Sequence, residues 1–182
     1  MMFGERKEEN STSAPTKVPQ NGKLIYILGA IAALLAIAAI VLVFKLTATT
    51  YTVPDHIKQR ANHTIYVPKR LPSGYKIAEG SFMIDEAENT LLFRAEDSSG
   101  SSIVFTEQQK PQGFDFEQFY QEQMSDAKKL NGTPYPSVLG RAPTGDRFLL
   151  SIVADDAWIL ASTAAPLNEQ DFTLIAKNIK KN

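Results

Sequence analysis

Hydrophobic residues follow two different patterns along this chain. From Leu24 to Phe44 (LIYILGAIAALLAIAAIVLVF) they run continuously over 21 residues with no charge among them. At about 1.5 Å of rise per residue, such a helix is roughly 30 Å long, the thickness of a bilayer hydrocarbon core. Lys23 and Lys45 bracket the run, and Tyr26 and Phe44 stand near its ends, where interfacial anchors belong. The pattern predicts a spanning helix from Leu24 to Phe44. It is too long, and preceded by too many polar residues, to be the apolar part of a cleaved signal peptide, so it reads as an uncleaved anchor. Gly29 with Ala33 and Ala32 with Ala36 have a spacing that lets spanning helices approach closely. An alanine-rich segment meets that spacing by composition alone, so a homodimer through the span is allowed but not favoured.

Beyond the linker, residues 45–53, the pattern becomes periodic, as in a folded domain over 54–182. Pro54 to Ala61 predicts one or two helical turns, with Pro54 at the first position. Tyr66-Val67-Pro68 is extended, and Leu71-Pro72-Ser73-Gly74 is a turn, because a residue before proline avoids the α region. Strands are expected from Tyr75, then at Ser81–Asp85 and Thr90–Ala95 around a turn at Glu86–Asn89. After a turn at Asp97–Ser101, Ser102–Glu107 alternates Ile103 and Phe105 against Val104 and Thr106. From Phe114 to Leu130 the period changes to 3.6, which predicts a helix with Phe116, Phe119, Tyr120, Met124 and Ala127 on one face. Asp115 is its N-cap, in an arrangement close to a capping box with Gln118, and Asn131-Gly132 its stop. Val138–Arg141 reads as a short strand. Arg147–Ala154 and Ala157–Thr163 form a hairpin with Asp155-Asp156 at its tip and apolar groups on both faces, as for central strands covered on both sides. A last helix is capped by Asn168 with Asp171 at N3, stapled by Leu167 against Phe172, and striped by Phe172, Ile175, Ala176 and Ile179. The expected fold class is α+β: an N-terminal transmembrane helix, then a mostly antiparallel sheet packed with two or three helices.

The first 23 residues carry charge, Ser, Thr, Pro and Gly with little apolar content, and so read as a disordered tail. Arg6, Lys7, Lys17 and Lys23 precede the span, against Lys45, Lys58 and Arg60 after it. The positive-inside rule therefore places the tail in the cytoplasm and the domain outside it, in a single-pass cell-membrane protein. Of the 19 basic and 20 acidic residues in the chain, 14 and 17 fall in the domain, which offers no basic funnel for a nucleic acid. The absence of cysteine excludes disulfides, thiolate zinc sites and cysteine nucleophiles.

Candidate chemistry is sparse. His56 and His63 lie in the juxtamembrane segment without a zinc-binding pattern and read as solvated side chains. Asp155-Asp156 converges poorly for a cation, and Asp85, Glu86 and Glu88 read as a solvated turn. No phosphate loop, dinucleotide turn or nucleophile elbow occurs, so no enzyme activity, cofactor or metal is expected, although a Ser/Lys dyad needs no local spacing. The aromatic stripe Phe116, Phe119 and Tyr120 reads first as a face packed on a sheet and second as a ligand-binding surface.

The segments YVPKRLPSGYKI, FTEQQKP and DDAWILASTAAPLNEQDFTLIAKNIK, between Tyr66 and Ile179, resemble a family of uncharacterised bacterial extracytoplasmic α+β domains. Members commonly follow one transmembrane helix, and some form the outer part of anti-sigma-factor-like regulators. The resemblance implies an exported domain with no agreed active site, and the short tail departs from the regulators' folded sigma-binding part. A more distant likeness is to lipoprotein-carrier folds that hold acyl chains. The expected function is a membrane-tethered, non-enzymatic binding or sensory module for an envelope protein or other envelope component. The alternatives are a carrier of a lipid or other apolar ligand between sheet and helix, and, further off, a hydrolase with a non-local dyad.

Overall fold

The computed structural model describes residues 52–182. The tail, the Leu24–Phe44 span and all of the linker before Thr52 lie outside these residues. Among the described residues no helix is long and apolar enough to cross a membrane.

The described chain is an antiparallel sheet with three helices. In order along it come α1 (Asp55–Arg60), β1 (Tyr66–Pro68), β2 (Lys76–Ile77), β3 (Met83–Asp85), β4 (Thr90–Glu96) and β5 (Ser102–Gln109). There follow α2 (Phe116–Gln123), β6 (Ser125–Lys129), β7 (Ser137–Arg141), β8 (Phe148–Ala154), β9 (Ala157–Thr163), α3 (Glu169–Lys177) and β10 (Ile179–Lys181). The main sheet has the order β2-β4-β5-β9-β8-β7-β6, with β3 beside β2 along the same edge of β4. The strands β1 and β10 form a separate two-stranded ribbon, Tyr66 opposite Lys181.

Alternation along the strands sorts side chains onto two faces. Phe93, Phe105, Ala161, Leu150 and Leu139 lie opposite one another across five strands, and with Ile103, Ile152 and Ile159 they define the main core face. Ile57 of α1, Tyr66 and Val67 of the ribbon, and Phe172, Ile175 and Ala176 of α3 close over it. Val53, at the end of the predicted linker, is fully buried in the same cluster. The opposite face carries Val138, Leu149 and Trp158 at one end, under α2, and Leu92, Val104 and Leu160 at the other.

Four sequence expectations are corrected. Pro54 is the N-cap of α1 and not its first helical residue. The helix at α2 stops at Gln123, not near Leu130, because Met124 turns extended (φ −134°, ψ 134°) and the next residues pair with β7. Ala127 is therefore an exposed residue of an edge strand, beside a bulge where Asp126 takes φ 53°. Such a bulge, with Lys128 and Lys129, blunts an edge that would otherwise invite strand addition. Gln118 also bonds Glu122 instead of completing a capping box, while Asp115 caps Glu117 and Gln118 N–H as expected. At the C-terminus the capping box of Asn168 and Asp171 forms, but α3 ends at Lys177. Ile179 is buried as a strand residue of β10 and not as the last position of the helix.

Candidate functional site

Two places in the domain gather more chemistry than packing alone calls for. The first is an aromatic cluster and cleft beside α2. Asp115 caps the helix, so Phe116, Phe119 and Tyr120 emerge from its first turns toward the sheet. Phe119 meets Trp158 of β9 edge-on at 4.7 Å, and Phe114, just before the helix, lies 4.7 Å from the same indole. The Trp158 indole N–H donates to the Ser151 hydroxyl at 2.9 Å, which fixes the ring from below. Phe116 stands edge-on to Tyr120 at 5.7 Å. Such edge-to-face pairs are each worth about 0.5–1.5 kcal/mol beyond the area they bury.

The chain leaving α2 is set closely onto β7. A Cβ on Gly140 of β7 would come within 2.9 Å of the Ser125 carbonyl and 3.1 Å of the Met124 methyl. With Tyr120, Met124 and Val138 all buried together, the seam between α2 and the sheet is filled by the protein's own side chains. Open space lies to one side instead, as a cleft of about 750 Å³. Phe114, Phe116 and Tyr120 line it with rings, Val138 and Pro136 are apolar, and Asn131 is polar. Glu117 and Lys129 also line it, 3.7 Å apart, with the ammonium 5.5 Å from the centre of the Tyr120 ring. Bonding to the Tyr120 hydroxyl, and then the Glu117 charge, hold Lys129 above the ordinary lysine range. Of the three ring residues predicted from sequence, Phe116 and Tyr120 face this cleft, whereas Phe119 is turned to Trp158. Ring faces beside a charged rim are recognition chemistry. The Ser137 hydroxyl in the cleft donates to the Tyr135 carbonyl.

The second place lies on the core face. Glu107 occupies the inward parity of β5 after Ile103 and Phe105 and is fully buried. Its two oxygens accept the Tyr66 backbone N–H at 3.0 and 3.2 Å. The His63 side chain, 1% exposed, sets its Nε2 3.4 Å from Oε1, within ion-pair range but without hydrogen-bond geometry. Burial pushes Glu107 above the usual glutamate range, and His63 and the Tyr66 N–H pull it partly back.

Nearby, Asp155 accepts from the Tyr66 hydroxyl at 2.7 Å and from Lys181 at 3.1 Å. Those bonds, Tyr66 first, hold Asp155 below the ordinary carboxylate range. Burial, and then the Asp155 bond, push the Tyr66 hydroxyl far up, so it remains a donor. Asp156 accepts the N–H and hydroxyl of Thr64, both at 3.2 Å. Burial raises Asp156, but the Thr64 bonds leave it lower than an ordinary aspartate on balance. The Asp155-Asp156 pair thus holds three partners, Tyr66 and Lys181 on Asp155 and Thr64 on Asp156. Among the described residues no group of three or more His, Asp or Glu side chains is placed to hold a metal.

His56 is exposed, as a solvated histidine should be, whereas His63 is buried against an acid. That partnership has no local sequence signal, since 44 positions separate His63 from Glu107. Glu107 did have one: the alternation that turns Ile103 and Phe105 inward also turns Glu107 inward. Asp85, Glu86 and Glu88 are exposed, with Glu86 paired to Arg60. The chain matches no family model and no curated protein.

Proposed function

We propose that this is a single-pass membrane protein, cytoplasmic at its N-terminus, whose extracytoplasmic α+β domain is a non-enzymatic module that binds an envelope protein or other envelope component. The cleft beside α2 carries the binding half of this reading: three rings and a Glu117–Lys129 rim stand around open space. The tether rests on the uninterrupted apolar run Leu24–Phe44. Confining the domain to the membrane plane raises its effective concentration toward partners held there. The resemblance to outer domains of anti-sigma-factor-like regulators supports the same placement. An apolar ligand, the second reading, would use the cleft and its rings, because Tyr120, Met124 and Val138 fill the seam between helix and sheet.

The test places a benzophenone amino acid at Glu117 of the full-length protein in intact cells, with the exposed turn residue Ser99 as the control position. A discrete adduct from position 117 and none from 99 is expected. An adduct of lipid mass would favour the second reading. No adduct from 117, or the same adducts from both positions, counts against binding at the cleft.

A further inference from the structure

We propose that residues 62–66 form a proton-held latch: one proton shared between the His63 imidazole and the Glu107 carboxylate keeps this segment docked on the sheet, and loss of that proton releases it. The inference does not rest on the cleft, whose lining shares no residue with this segment or with Glu107.

The geometry of the pair leaves a place for such a proton. His63 Nδ1 lies 3.3 Å from Asn62 Oδ1, an acceptor, which favours the tautomer with the ring hydrogen on Nδ1. A neutral ring then presents the lone pair of Nε2 to Glu107 Oε1, 3.4 Å away. Two acceptors face each other inside the core unless a proton lies between them. Imidazolium with carboxylate, and imidazole with carboxylic acid, bind the same number of protons and have zero net charge, so either is compatible with burial. In that tautomer, removing the proton leaves a buried anion with only the Tyr66 N–H, and adding a second leaves a buried imidazolium with no counter-charge.

The groups around the pair set the direction of the response. From the β8–β9 turn, Asp156 holds Thr64 and Asp155 holds the Tyr66 hydroxyl. Lys181 of β10 binds Asp155, Lys110 beyond β5 adds its charge to Asp155, and Tyr135 faces Tyr66 edge-on at 5.7 Å. Asp155 and Asp156 titrate below the ordinary 3.8, so their hold is complete above that value and is lost as pH falls through their lowered ones. Glu107 is displaced the other way, above 4.5, so its contribution is present below that value and is lost as pH rises through its folded one. The segment is held hardest between the two ranges and loosens as pH rises. Ile65, Tyr66 and Val67 are buried, so undocking would bare apolar surface on the core face.

Amide exchange of the full-length chain in detergent micelles tests this, with protection factors corrected for the intrinsic pH dependence of exchange. Between about pH 5 and about pH 9, protection at Thr64–Tyr66 should fall about tenfold or more, while β8 and β9 change less than about twofold. In Glu107→Gln, whose amide can still accept from Tyr66 and donate to His63 Nε2, protection at these residues should stay flat across the range. A flat wild-type profile, an equal fall in Glu107→Gln, or a fall shared by all strands would each overturn the latch. Should the variant not fold, the wild type decides alone. Its His63 ring ¹⁵N shifts must change over the same interval as the loss of protection, and a loss without that change overturns the proposal.

Discussion

Phe105→Ala is expected to lower the unfolding free energy of the domain by about 3–5 kcal/mol, read from urea denaturation of the full-length chain in detergent. Phe105 is fully buried on β5, a central strand paired to β4 and β9. Its ring stacks on Phe93 at 4.7 Å and 3°, and Phe93 in turn stacks on Phe82 at 5.0 Å. Truncation removes the transfer energy of a benzyl group and leaves a cavity that a sheet anchored on both sides cannot collapse to fill. A domain of this size has roughly 5–15 kcal/mol in total, so the loss would bring it close to unfolding at ordinary temperatures. Val104→Ala, half-buried on the opposite face of the same strand, should cost clearly less, and equal losses would contradict the assignment of the two faces.

His63→Ala is expected to cost about 3–5 kcal/mol, because it takes one partner from a buried pair and leaves the Glu107 carboxylate with a single N–H donor. A solvated histidine would be within about 0.5 kcal/mol of neutral on the same substitution. His56→Ala, at an exposed position, supplies that comparison within one segment. The loss at His63 should shrink toward both ends of the range: near the acid end Glu107 can take up a proton and remain neutral, and near the alkaline end the wild-type pair has itself lost its proton. Unfolding measured at about pH 5, 7 and 9 separates this from a packing effect, which would be the same at all three.

Much of the architecture was legible because local signals agreed with the tertiary pattern. Leu167, Asn168, Asp171 and Phe172 mark the start of α3 within six residues, and the Ala154–Ala157 hairpin has a two-residue tip at which Asp155 takes φ 45°. The misreadings arose where burial imitates periodicity. Ile179 is inward whether its segment is helix or strand, so the stripe after Ile175 could not reveal that pairing with β1 takes over at that point. Met124 is likewise buried in either case, and only pairing of β6 with β7 decides that the helix has already ended.

The sites were legible to different degrees. The stripe Phe116, Phe119, Tyr120 identified the right surface, but the division between cleft and Trp158 depends on β9, nearly 40 residues further along. Strand parity alone was enough to turn Glu107 inward. Its partner could not be named, because the segment carrying His63 reaches β5 only through the docking of the ribbon and the β8–β9 turn.

The chain contains no cysteine, so single introduced thiols report sidedness without background. Ser99→Cys, in the exposed turn where Asp97 accepts from the residue 99 and 101 N–H groups, and separately Ser13→Cys in the tail, would be treated in intact cells with a membrane-impermeant maleimide. A domain tethered outside the membrane predicts labelling at position 99 and none at 13 until the cells are opened. Labelling at position 13 alone would put the α+β domain in the cytoplasm and contradict the account of an extracytoplasmic module.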